Sequence, residues 1–136
     1  LEHFRETQSA VNEFYRVLKP GGVAFNTVPY LNLGSITYRQ LWGNIPNIPF
    51  IKQLAEFIHI KMLKAKHMRF GYELSFTAGQ LRQFHKLAGF RKVKIDNFRT
   101  KLMFEFVPVK SLRTVFTYLA ENFRSFWPLV KVIAEK

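Results

Sequence analysis

Apolar residues recur at helical spacing over residues 7–18, where Val11, Phe14, Tyr15 and Leu18 form one stripe of an amphipathic helix. Lys19-Pro20-Gly21-Gly22 ends it, because proline cannot continue the hydrogen-bond ladder and glycine permits a tight reversal. Val23-Ala24-Phe25-Asn26-Thr27-Val28 follows, short and mostly apolar, as a strand buried on both faces would be, and Pro29 closes it. Helix, glycine turn and buried strand make one unit of an α/β sheet.

The pattern then loosens. Residues 32–47 hold Gly34, Gly43 and Pro46 among Tyr38 and Trp42, which predicts a short helix between loops. Pro49 opens a stronger helix over 50–66, with Ile51, Leu54, Ile58, Met62 and Ala65 along one stripe. Its other face carries Lys52, Lys61, Lys64 and Lys66 against the single acid Glu56. Residues 30–74 are too long for an ordinary connection and read as an inserted helical lid subdomain. Regularity resumes with Thr77-Ala78-Gly79-Gln80, which has capping-box spacing and starts a helix through Leu81, Phe84, Leu87 and Ala88. Gly89 suits the left-handed position just past its end. Residues 90–98 alternate as a strand, 99–110 are ambiguous, Ser111 caps a helix running to Phe123, and 127–134 form a last, β-rich strand.

Composition adds three constraints. The chain has 136 residues, one domain at most, and its 15 Phe supply ample core material. No cysteine is present, which removes disulfides and thiolate chemistry. The start, Leu1-Glu2-His3-Phe4, has neither a cationic leader nor an apolar h-region, so no signal peptide is expected and the location is expected to be cytoplasmic. A start without Met also leads us to expect part of a longer protein. Charge is the extreme feature: 21 Lys+Arg against 9 Asp+Glu give a formal +12, with a pI near 10.2. That balance favours an anionic partner, or an acidic remainder that neutralises it.

Three segments in order carry a family resemblance. Leu1-Glu2-His3-Phe4 followed by Glu13-Phe14-Tyr15-Arg16-Val17-Leu18-Lys19-Pro20-Gly21-Gly22 resembles the passage from the fourth to the fifth strand of class I S-adenosylmethionine-dependent methyltransferases (the type 11, UbiE-like group). Leu74-Ser75-Phe76-Thr77 through Ala88-Gly89-Phe90 and Val93 is similar to their next helix and strand, and Leu129-Val130-Lys131-Val132-Ile133-Ala134-Glu135-Lys136 to their closing strand. The resemblance covers 1–29 and 75–98 well and 127–136 moderately, and does not reach 30–74 or 99–126. It implies the C-terminal part of a Rossmann-like sheet, a partial methyltransferase domain over 1–136, with three strands of which the last is central and antiparallel.

The family's glycine-rich loop and its ribose- and adenine-binding acids have no counterpart here, and Gly21-Gly22 stands before a strand, the reverse of a nucleotide-cradling turn. The chain alone is therefore expected not to bind S-adenosylmethionine. By resemblance, Glu2 and His3 fall where cofactor and methyl transfer meet, and His3 is the candidate base, since a histidine titrates near neutrality. The alternative is a histidine that merely packs at a strand end. No metal is assigned, because three ligands are not visible.

Pro29 and Tyr30 lie at the carboxyl edge of a strand, where open α/β sheets take ligands. Together with Tyr38, Trp42 and Tyr72 they are candidates for lining a small-molecule acceptor site, unless these aromatics only hold the insertion together. The leading function is methyl transfer to a small, apolar or anionic acceptor. The competing one is a non-enzymatic basic module whose helix 50–66 meets a membrane surface or another anionic ligand, with nucleic acid less favoured. Strand 23–28, lacking its family neighbour, is expected to drive self-association.

Overall fold

The computed structural model describes residues 1–34, 44–62, 64, 73–100, 102–105 and 107–136. Helix α1 (Thr7–Val17) buries Val11 and half-buries Phe14, Tyr15 and Leu18, the stripe its sequence predicts. After it Gly21 takes φ +76°, and its N–H donates to the Lys136 carbonyl at 3.1 Å while the Lys136 N–H donates to Gly22 at 2.9 Å. The turn thus ties the start of strand β1 (Val23–Pro29) to the end of the last strand.

The insertion supplies two short strands, β2 (Ile45–Pro46) and β3 (Leu74–Ser75), paired in parallel, with helix α2 (Ile51–Glu56) and a π-helical segment (Phe57–Met62) between them. Helix α3 (Ala78–Ala88) begins at the expected capping box, where Thr77 and Gln80 satisfy each other's backbone N–H groups, and ends at Gly89 with φ +104°. Strand β4 (Lys92–Asn97), helix α4 (Lys110–Asn122) and strand β5 (Leu129–Glu135) complete the order. Single 3-10 turns at Leu102–Phe104 and Arg124–Phe126 flank α4.

The main sheet runs β1-β5-β4, with β5 central and antiparallel to both neighbours, from Val23↔Glu135 to Pro29↔Leu129 on one side and Lys92↔Glu135 to Asn97↔Val130 on the other. Period-two alternation puts Ala24, Val28, Val130, Val132, Ala134 and Ile95 on one face. That face meets Val11 of α1 and Leu81 of α3, so both helices lie on the same side.

Several boundaries and faces differ from the sequence reading, each for a local reason. Strand β1 is buried on one face: Val23 and Phe25 are 54% and 57% exposed, because α1 and α3 both pack against the other side. In α3 the inward residue is His85, fully buried, while Leu87 is 68% exposed. Positions 81, 85 and 88 share a face at 3.6 residues per turn, and 87 does not. Helix α4 starts at Lys110, so Ser111 falls inside its first turn and supplies no cap, and among the described residues no other side chain caps its start; the Arg113 guanidinium donates to the Val107 carbonyl just ahead of it at 2.8 Å. Strand β5 begins two residues after Trp127, behind the 3-10 turn and Pro128. Helix 50–66 is shorter and partly π-helical, and of its expected stripe Ile51, Leu54 and Met62 are exposed. Within residues 30–74, Ile45 and Leu74 belong to the same buried cluster as Val28 and Val130.

Candidate active site at the carboxyl end of the first strand

Strand β1 alternates its backbone groups between two edges. Even-numbered positions face β5: the Tyr30 N–H donates to Pro128 at 3.2 Å and Gly22 accepts from Lys136 at the other end. Odd-numbered positions face outward, and there the Pro29 carbonyl accepts the Phe76 N–H at 3.1 Å while the Leu31 N–H donates to Phe76 at 2.8 Å. Phe76, which follows β3, therefore pairs in parallel alongside the carboxyl end of β1. Two residues back, in β3, the Leu74 N–H donates to the Glu2 carbonyl at 2.9 Å. Residues 74–76 thus join Glu2-His3 and Pro29-Tyr30 at one end of the sheet.

Within that end, Pro29 is buried and Tyr30 is 9% exposed, with its ring centroid 6.3 Å from that of Trp127. His3 is half exposed, its Nε2 3.5 Å from Oε1 of the more buried Glu2, a carboxylate placed to hold the imidazole in one orientation. Tyr38, Trp42 and Tyr72 lie outside the described residues.

Sequence reading passed over Trp127 beside Tyr30 and two residues that hold Trp127. Asn32 donates from Nδ2 to the Trp127 carbonyl at 2.8 Å, and the Arg124 guanidinium stands 5.3 Å above the Trp127 ring. A signal for Trp127 existed: in an antiparallel pair of β1 with β5, the residues just before β5 fall opposite the residues just after β1. The result is a tilted aromatic pair, Tyr30 in the core and Trp127 packed against it, with the Arg124 cation over the Trp127 ring.

A second histidine also escaped notice. His85 Nδ1 lies 2.7 Å from the Leu81 carbonyl, so Nδ1 carries the proton and Nε2 is an acceptor; it is buried and has no hydrogen-bond partner among the described residues. Burial holds its pKa below the ordinary histidine value, opposed by the bond to Leu81. Its ring centroid is 5.4 Å from Phe90, and its place is in the core.

Cofactor binding can be tested against the same geometry. Both Gly21 and Gly22 spend their N–H groups inside the fold, on Lys136 and Lys19, and a Cβ on Gly22 would meet the Lys19 oxygen at 2.9 Å. Neither glycine has an amide to offer a nucleotide, and the turn stands at the opposite end of β1 from Tyr30. Among the described residues no three His, Cys, Asp or Glu side chains gather as a metal site would require.

No protein-family model matches this chain, and no curated protein matches it. Among solved structures it is similar to Haemonchus contortus phosphoethanolamine N-methyltransferase 2, solved in complex with phosphomonomethylethanolamine and S-adenosylhomocysteine. The TM-score is 0.52 at 16% identity, over 99% of this chain and 31% of that one. A structure described as a "possible exported protein" from Bordetella parapertussis aligns at TM-score 0.46 and 16% identity, over 95% of this chain and 32% of that one. The chain spans about a third of the length of these structures. At such identity the first likeness speaks for the fold alone: a mixed α/β, broadly Rossmann-like arrangement.

Proposed function

We propose that this chain forms the acceptor side of an S-adenosylmethionine-dependent methyltransferase of the type 11, UbiE-like group. It passes a methyl group to a small, apolar or anionic acceptor and does not hold the cofactor by itself. One observation carries the reading. A helix ended by Val17-Leu18-Lys19-Pro20-Gly21-Gly22 leads into a strand whose neighbour is the final strand, antiparallel and central. The solved methyltransferase of similar fold, which binds S-adenosylhomocysteine, supports it.

In this reading the protein orients the acceptor for in-line displacement at the sulfonium methyl, and a base is needed only where the acceptor must lose a proton. Tyr30 and Trp127 would give the acceptor an apolar wall, Arg124 would face its negative charge, and His3 would take its proton with Glu2 holding the ring.

The test is transfer of labelled methyl from S-adenosylmethionine by the full gene product that contains this chain, against lipids, quinone precursors and activated sugars. Transfer to one class, lowered about 100-fold by His3→Gln, is the expected result. Absence of transfer to every class overturns the reading. Calorimetric titration of the 136-residue chain is expected to give no specific heat with S-adenosylmethionine, and low-micromolar affinity would show that these residues do grip it.

A further inference from the structure

Residues 50–62 turn large apolar side chains outward. Pro49 and Phe50, the latter at φ +66°, bend the chain into α2, which continues into the π-helical segment. Ala55 is the buried residue by which α2 seats against the core. Phe50 is 83% exposed, Leu54 61%, Phe57 51% and Met62 65%. At 100° per residue Leu54 and Phe57 fall about 60° apart, well round the axis from Ala55, and Phe50 stands just ahead of the helix as the most exposed of the four. An apolar stripe of this size on a surface marks an interaction site.

Charge decides what meets it. Over residues 50–72 the sequence carries Lys52, Lys61, Lys64, Lys66 and Arg69 against Glu56 alone, and Lys61 and Lys64 are exposed. A second copy would bring the same lysines face to face, which repels. A nucleic acid would use the cations and stack on Phe50 or Phe57, but would leave Leu54 and Met62 in water. A bilayer with anionic headgroups uses both: apolar side chains enter the headgroup–acyl boundary while ammonium groups stay at the phosphates. We propose that residues 50–62, with Lys64, dock this chain on an anionic membrane surface as a peripheral contact. The proposal does not depend on the catalytic reading. Among the described residues no helix is long and apolar enough to cross a membrane, and the contact needs none.

Co-sedimentation with vesicles of phosphatidylcholine, alone or with about 30% phosphatidylglycerol, tests it at low and high salt. The chain is expected to bind the anionic vesicles about 10-fold or more tightly than the neutral ones, with the difference shrinking at high salt. Replacing Phe50, Leu54 and Phe57 together by Ser is expected to abolish binding, and Lys61→Glu with Lys64→Glu to weaken it about 10-fold. Unchanged circular dichroism verifies the fold of each variant. Should the serine variant not fold, the charge-reversed pair, both exposed, decides alone. Wild-type affinity in the variants overturns the proposal, as does equal binding to neutral vesicles. So does an absence of vesicle binding accompanied by binding to single-stranded DNA, or by a dimer that the serine variant breaks.

Discussion

The ammonium of Lys136 lies 2.8 Å from the carbonyl oxygen of Leu18, and 2.6 Å from that of Tyr15, so a side chain beyond β5 caps the C-terminal end of α1. Its Nζ also sits 4.4 Å from the centre of the Tyr15 ring. Helix-end carbonyls have no partners within the helix and attract cations. Lys136→Met keeps the length of the side chain and removes these bonds. It is expected to lower stability by about 1–2 kcal/mol, read from urea denaturation. An unchanged midpoint would mean that water serves the carbonyls equally well.

Gly89 stands under the same Tyr15. Its φ of +104° disfavours any side chain, and a Cβ there would meet the ring at 2.9 Å. Gly89→Ala is expected to cost about 1–3 kcal/mol, with the edge-to-face pair of Tyr15 and Phe90, now 5.2 Å apart, disturbed. Thermal unfolding checks the first expectation and near-ultraviolet dichroism the second.

Burial of His85 makes stability depend on pH in a definite direction. Its folded pKa lies below the ordinary value near 6.5, so the unfolded chain binds more protons as pH falls through that region. Its contribution is complete above about pH 6.5 and declines as the solution is acidified below it. His85→Leu removes this slope. Urea denaturation from pH 7.5 to 5 should show a smaller loss in the variant, whereas identical slopes would dismiss His85 as the cause.

The outer edge of β1 leads to an expectation about association. Val23, Phe25 and Thr27 direct their backbone groups outward, Val23 and Phe25 also expose their side chains, and beside them Phe14, Val17 and Leu18 line a shallow apolar hollow of about 190 Å³ with Phe25. An apolar edge with open donors and acceptors recruits a strand. The 136-residue chain is expected to sediment as a two-fold dimer at micromolar concentration, and Phe25→Lys to shift it to monomer. A monomeric wild type would show that the edge is covered another way.

How much of this was readable beforehand depended on how local its cause was. The Thr77–Gln80 box, the left-handed Gly89 and the arrest of α1 at Lys19-Pro20 are set by neighbours in sequence, and they stand where the residues indicate. The order β1-β5-β4 was legible only through resemblance, since no periodicity tells a strand its partner. Burial of β1 on both faces was misread because a mostly apolar strand does not declare how many of its faces find a helix. His85 was missed because histidine is seldom fully buried, although 81, 85 and 88 share the inner face. At the candidate site, Pro29 and Tyr30 followed from strand position, while Asn32, Arg124 and Trp127 required the register of β5.

A central strand that comes last in sequence also governs the order of assembly. β1 and β4 share no hydrogen-bonded ladder with each other; each pairs only with β5 within the main sheet. Until residues 129–135 arrive, the two earlier strands have no common partner, and helices α1 and α3 have only an incomplete surface to settle on. The sheet therefore closes by long-range encounter rather than by zipping outward from a hairpin, a topology that slows folding and leaves the early strands open to wrong partners meanwhile.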